Sequence, residues 1–192
     1  MQAGVELARE GGPQAIVLRE AARRVGVSPN AAYRHFTALP ELVEAVARQA
    51  LTGLAEAMIA ELARCRPSGD KRQDAWSDMR AVGRGYIHFA LREPGLFECA
   101  FDQKEGLDSS LRDKDPDALS PDQLLTRALT GLVSAGLLAS DKIDAAGTTA
   151  WATVHGLSLL LLGPMSGLRK AERERIVEAT LSQIGEGLLS RR

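Results

Sequence analysis

The stretch Val17–Phe36, VLREAARRVGVSPNAAYRHF, decides the fold. Its first half sets Leu18, Ala21, Ala22 and Val25 at i, i+3, i+4 and i+7, the spacing of one apolar face on a short helix. Gly26 ends that helix, because glycine enters the left-handed C′ conformation without the penalty a β-carbon brings. Ser28 and Pro29 start another: the serine hydroxyl accepts from an otherwise unpaired amide, and proline suits the first helical position. Ala22 is small enough for the two helices to cross closely, and Ala32 and Phe36 supply the apolar side of the second. Two short helices joined by a tight turn containing glycine make a helix-turn-helix.

The charge on this stretch points to a nucleic-acid partner. Arg19, Arg23, Arg24 and Arg34 stand against Glu20 alone, a net of +3 where the whole chain carries −1. A basic surface on a nearly neutral protein is what contact with DNA phosphates requires. The plainer alternative is a solvated helical hairpin whose arginines only keep it soluble.

In such a motif the second helix lies in the major groove, with its early residues on base edges. Ser28, Pro29, Asn30 and Ala31 occupy that end; Asn30 can pair bidentately with adenine, and Ala31 can touch a thymine methyl. Tyr33 and His35 are placed for phosphate contacts, with Arg19, Arg23 and Arg34 strengthening the grip on the backbone.

The run GVSPNAAYRHF, followed by a short turn and PELVEAVARQAL, resembles the DNA-binding domain of the tetracycline-repressor (TetR/AcrR) family. Gly26, Val27, Ser28, Tyr33, Phe36 and Leu42 match that pattern in order and spacing, and the likeness covers about residues 3–50. It implies a three-helix N-terminal bundle with the helix-turn-helix, a long fourth helix, and a helical body that binds a ligand and dimerises. Two positions depart from the family, which commonly holds phosphate-contacting threonine and lysine where Val17 and Leu39 stand here. A modest, strongly salt-dependent DNA affinity follows. A first helix is expected over residues 2–11, closed by Gly11-Gly12 with Pro13 beyond it.

At 192 residues, 45% hydrophobic and 26% charged, the chain carries enough apolar mass for one or two globular units. Alternating runs are absent, aromatics make up 4%, and helix formers dominate, so the fold is expected to be all-α with about nine helices. A helix-turn-helix domain over residues 1–45 and a helical ligand-binding and dimerisation domain over 46–192 are the expected organisation. Leu42, Val43, Val46, Ala50, Leu54, Met58 and Leu62 stripe one long helix to about Arg64, and Arg66–Asp74 reads as a linker. A further helix carries Trp76 to Ala90 and breaks at Pro94, followed by a short one over Gly95–Phe101 and a charged loop over Asp102–Leu119. Ser120-Pro121-Asp122-Gln123 is a capping box that opens a helix ending near Gly136. Asp144–Leu162 is apolar nearly all round, which predicts burial on several sides, while Glu172–Leu189 has a cleaner stripe.

That last pair holds more apolar surface than a body of this size needs, so it is expected to bring two copies together in a four-helix bundle. The residues assigned to the seam are Leu157, Leu161, Ile176, Val177, Thr180, Leu181, Ile184 and Leu188. The bland alternative is that both helices close the core of one chain.

YIHFALREPGLFECAF together with WATVHGLSLLLLG is similar to a branch of the family named for a Trp-His-Gly signature, matched here by Trp151, His155 and Gly156. That likeness implies a small-molecule pocket, with Trp76, Met79, Tyr86, Phe89, Phe97, Phe101 and Trp151 as candidate lining residues. Aromatic residues at helical spacing also serve simply as core. His155 reads first as a satisfied buried histidine and only then as a ligand contact.

Several classes find no support. There is no GxSxG elbow, phosphate-binding glycine loop or HExxH, so no catalytic residues are assigned; a small helical enzyme is the weakest alternative and a helical adaptor without DNA binding the next. His35, His88 and His155 lie in separate helices and the cysteines are not at ligand spacing, so no metal and no cofactor is expected. Cys65 and Cys99 are far apart without a CxxC pair, which suits a reduced cytoplasmic interior. The start MQAGVELAREGG lacks the pattern of a signal peptide, and the strongest apolar run, Gly156–Gly163, is far below the ~20 residues that cross a bilayer. The expected partners are a double-stranded DNA operator, a small-molecule effector and a second copy of the chain, with no membrane.

Overall fold

A computed structural model describes residues 1–27, 39–102 and 119–188. Among the described residues there are eight α-helices and no strand: α1 (Gln2–Gly11), α2 (Leu18–Arg24), α3 (Leu39–Leu62), α4 (Lys71–Arg92), α5 (Pro94–Phe101), α6 (Pro121–Ser134), α7 (Ile143–Leu162) and α8 (Lys170–Leu188). The fold is all-α, as the sequence predicts. By packing, the described residues form two units, 1–53 with 92–102 and 54–91 with 119–188. This division does not follow a single boundary at 45/46: α3 gives residues to both units, and α5 packs with the first.

In the first unit, Ala3, Leu7 and Ala8 of α1, Leu18, Ala21 and Ala22 of α2, and Leu42, Val46 and Ala50 of α3 are buried. Leu96 and Phe97 of α5 are buried as well, and Arg9 Nε donates to Glu93 Oε2 at 2.9 Å just before that helix. The turn after α2 is formed as the glycine dictates. Gly26 has φ +70°, its amide donates to Arg23 O at 3.2 Å, and the Val27 amide reaches back to Ala22 O at 3.1 Å. That pair of bonds is a Schellman closure. Val25, expected on the apolar face, is the C-cap instead and lies exposed, because α2 ends one residue before it.

In the second unit, α4 lies against the far end of α3 and against α8. A β-carbon on Gly85 would sit 2.5 Å from Met58 Cα, and one on Gly185 would sit 1.9 Å from the Trp76 ring, so both approaches require glycine. The linker before α4 is shorter than expected: Asp70 Oδ1 accepts from the Arg72 amide at 2.8 Å, which starts the helix at Lys71. The capping box at Ser120 is present, with Gln123 Oε1 accepting from the Ser120 amide at 2.8 Å and the Ser120 hydroxyl accepting from the Gln123 amide at 3.4 Å. The expected loop over Asp102–Leu119 falls mostly outside the described residues.

The burial expected around α7 is only half realised. Ala146, Ala150, Val154, Leu157 and Leu161 turn inward, but Trp151, Leu159 and Leu160 stay exposed. Residues 140–162 also have the length and hydropathy of a membrane-crossing helix, beyond the short run singled out from the sequence; here one side of that helix packs on the unit.

Candidate functional site

The basic stretch is less basic in three dimensions than along the chain. Arg23 forks onto Glu20, Nε to Oε2 at 2.8 Å and Nη2 to Oε1 at 2.7 Å. Arg24 reaches across to α1, where Nη1 and Nη2 donate to Glu10 Oε1 and Oε2 at 2.8 and 2.6 Å, and its Nε meets Glu20 at 3.3 Å. The hydrogen bond from Arg23, joined by Arg24, holds the Glu20 carboxyl down to about 2, and Arg24 also lowers Glu10. Arg23 therefore shares its charge with Glu20. Arg19 is exposed and makes no ion pair among the described residues. Ser28, Pro29, Asn30, Ala31, Tyr33, Arg34 and His35 lie outside the described residues.

In the body, Tyr86 of α4 is buried and its hydroxyl lies 2.8 Å from His155 Nδ1 on α7. Trp151 Nε1 donates to the same hydroxyl at 3.4 Å, so one turn of α7 is tied to α4 twice. Burial pushes the Tyr86 phenol up and the His155 imidazole down, which keeps both neutral near pH 7. His155 is half-buried and has the Tyr86 hydroxyl as its partner. Met79 and Phe89 are fully buried, and Trp76 lies against Gly185. Phe97 and Phe101, expected with these, pack in the first unit, where their ring centroids are 5.0 Å apart. The expected lining residues are divided between the units.

Among the described residues no group of three His, Cys, Asp or Glu side chains could hold a metal, and Cys65 and Cys99 are free.

Two family models match the chain. The one described as "Bacterial regulatory proteins, tetR family" covers residues 1–46, and "Tetracyclin repressor-like, C-terminal domain" covers residues 79–184, more than half of the chain. The chain belongs to the TetR family. Similar solved structures include a protein of unknown function from Rhodococcus sp. RHA1, at TM-score 0.79 and 23% identity over 98% of this chain and 93% of that one. A putative TetR-family regulator from Shewanella sp. PV-4 matches at TM-score 0.68 and 18% identity, over 99% and 98% of the two chains. The TetR-family regulator PfmR from Thermus thermophilus matches at 0.62 and 20%, over 98% of both. At these identities the likeness shows the fold alone. No curated protein matches the sequence.

Membership makes the chain a DNA-binding transcriptional regulator with a helical C-terminal domain, and regulators of this family are not enzymes. Within this TetR-family regulator the residues expected at a subunit seam need correcting. Val177 is 0% and Leu161 1% exposed, and Leu157, Leu181 and Ile184 are buried too, so these side chains fill their own unit's core. Ile176 and Thr180 are half-buried, and the Leu188 side chain lies outside the described residues. Periodicity selected the inner stripe because it finds an apolar face without saying which body covers it.

One cluster was missed. Arg80, Arg84 and His88 recur every fourth residue on α4 and face Glu174 and Glu178 on α8. Arg84 forks onto Glu178 at 2.6 and 3.1 Å, Arg80 bonds Glu178, and His88 Nε2 lies 3.2 Å from Glu174. His88 Nδ1 and Arg84 Nη1 also approach the largely buried Glu61 of α3 at 3.7 and 3.8 Å. The i, i+4 spacing on both helices was the available signal.

Proposed function

We propose that this TetR-family chain is a repressor that binds a palindromic operator as a homodimer and leaves it when a small molecule occupies its body. The observation that carries this is α3. Its 24 residues form one helix, with 39–53 packed in the unit that holds the helix-turn-helix and 54–62 packed in the other. A ligand that prefers one position of α3 in the body shifts the population of head positions, with a typical coupling of about 1–3 kcal/mol.

DNA contact is assigned to Ser28, Pro29, Asn30, Ala31, Tyr33, Arg34 and His35 with Arg19 and the partly neutralised Arg23, so residues 1–45 act as the reading domain and 46–192 as the regulatory one. The effector is assigned to the neighbourhood of Tyr86 and His155, where neutral hydrogen-bonding groups stand among apolar ones, a mixture typical of ligand sites. Trp151, His155 and Gly156, close together on α7, support placing the body in the Trp-His-Gly branch. The cytoplasm is the compartment in which such a regulator meets DNA.

Tyr33→Ala tests the reading. It should abolish most retention on operator DNA while leaving helical circular dichroism and dimer mass unchanged; full retention points instead to a helical adaptor. If operator affinity is unmoved by every ligand that the body demonstrably binds, the release mechanism is wrong.

A further inference from the structure

Among the described residues Glu61 is the one charged side chain that is buried, at 9% exposure. It stands in the last turn of α3, where the exposed Arg64 just beyond bonds its Oε1. A charge taken out of water is costly unless it is closely paired, and an apolar side chain of like size serves stability as well or better. Glu61 nevertheless faces two basic groups of α4 without bonding either. Its Oε2 is 3.8 Å from Arg84 Nη1 and its Oε1 is 3.7 Å from His88 Nδ1, both beyond hydrogen-bond reach.

The same two side chains join α4 to α8 more closely. Arg84 forks onto Glu178 at 2.6 and 3.1 Å, and His88 Nε2 is 3.2 Å from Glu174. Hydrogen bonds weaken steeply with distance and angle, whereas attraction between charges falls only as the inverse of distance. The end of α3 is therefore held softly against two helices that are held firmly to each other.

Arg84 and His88 are one turn apart on one face of α4, so the Glu61 carboxylate lies between two stopping places at nearly equal range. The two differ in what they ask of α8. Arg84 has several N–H donors and can take Glu61 on Nη1 while keeping Glu178 on Nε and Nη2. A neutral imidazole has a single N–H, so a His88 that donates to Glu61 gives up Glu174.

We propose that Glu61 is a positioning residue for operator binding, which closes onto Arg84 in one state of the body and onto His88 in the other. Residues 39–62 form one helix, so a step of its last turn is carried to the end that lies with the helix-turn-helix. This rests on the reading of α3 above and names the side chains that divide its positions.

Operator binding by the full chain tests it, on the duplex enriched from random DNA. Arg84→Met leaves Glu61 only His88, and His88→Leu leaves it only Arg84. The two variants should differ in operator affinity by at least about fivefold, with helical circular dichroism like the parent's. In a Glu61→Met background, which fills the buried place with an apolar chain, that difference should shrink below about twofold. Glu61→Gln, which keeps the shape and removes the charge, should shrink it too, and serves if the Met variant does not fold. Equal affinities in Arg84→Met and His88→Leu reduce the cluster to a brace and overturn the proposal. A difference that survives without the Glu61 carboxylate belongs to Glu174 and Glu178, and overturns the role of Glu61. A parent chain that enriches no duplex overturns the repressor reading itself, and this proposal with it.

Discussion

A β-carbon on Gly95 would lie 1.9 Å from the carbonyl oxygen of Ala8 and 3.1 Å from the Gly12 amide nitrogen, so the backbones of α5 and α1 touch. Neither obstacle is a flexible side chain. Gly95→Ala must therefore push α5 away from α1 and strain the Arg9–Glu93 ion pair beside it. Overpacking of this kind costs roughly 3 kcal/mol, near the upper end of its range, which lowers the thermal midpoint by about 10 °C. Urea unfolding followed by circular dichroism checks it, and a variant as stable as the parent would show that α5 is not seated on α1.

Glu10 is the residue that tempers the basic head. It binds both terminal nitrogens of Arg24, which the sequence alone leaves as an open charge. Glu10→Gln should raise DNA affinity a few-fold at low salt and steepen the salt dependence, because one more cation becomes available to phosphate. Arg19→Ala should do the reverse, lowering the salt slope by about one. Binding measured over a salt series separates the two; identical slopes in both variants would contradict the electrostatic account.

The same carboxylates set an acid limit. Glu20 is held down to about 2 from its ordinary 4.5, so its pairing stabilises the fold fully above pH 4.5 and is lost as pH falls toward 2. His155 acts higher. Its folded imidazole resists protonation through burial, so its contribution is complete above its ordinary 6.5 and declines as pH falls below that. Thermal melts should weaken in two steps on acidification. Glu20→Gln should flatten the lower one and His155→Gln the upper one.

Arg84 joins α4 to α8 through a two-pronged contact with Glu178, one of whose sides faces solvent. Screening limits that pair to about 1 kcal/mol. A double-mutant cycle with Arg84→Met and Glu178→Gln should return a coupling of that size in urea unfolding, and a coupling near zero would reduce the contact to surface decoration.

Much of this architecture was legible in local chemistry. Gly26 requires its left-handed turn, Ser120 and Gln123 spell out a capping box, and Pro94 ends one helix while opening the next. Each of those signals acts within one turn of chain. What could not be read depends on tertiary approach. Glu10 and Arg24 are on different helices, and nothing in either helix announces the other. Phe97 and Phe101 share the apolar character of Tyr86 and Phe89, yet they belong to the other unit. The composition of α7 revealed that it must be covered, while leaving open whether its own chain or a second one does so.

The most direct test is selection of random DNA duplexes on the purified full chain, followed by measurement of the mass bound to the enriched site. A palindrome with half-sites about one helical turn apart, or a multiple of it, occupied by two chains is the predicted result. Failure to enrich any sequence, or an enriched asymmetric site occupied by a single chain, would contradict the two-headed repressor.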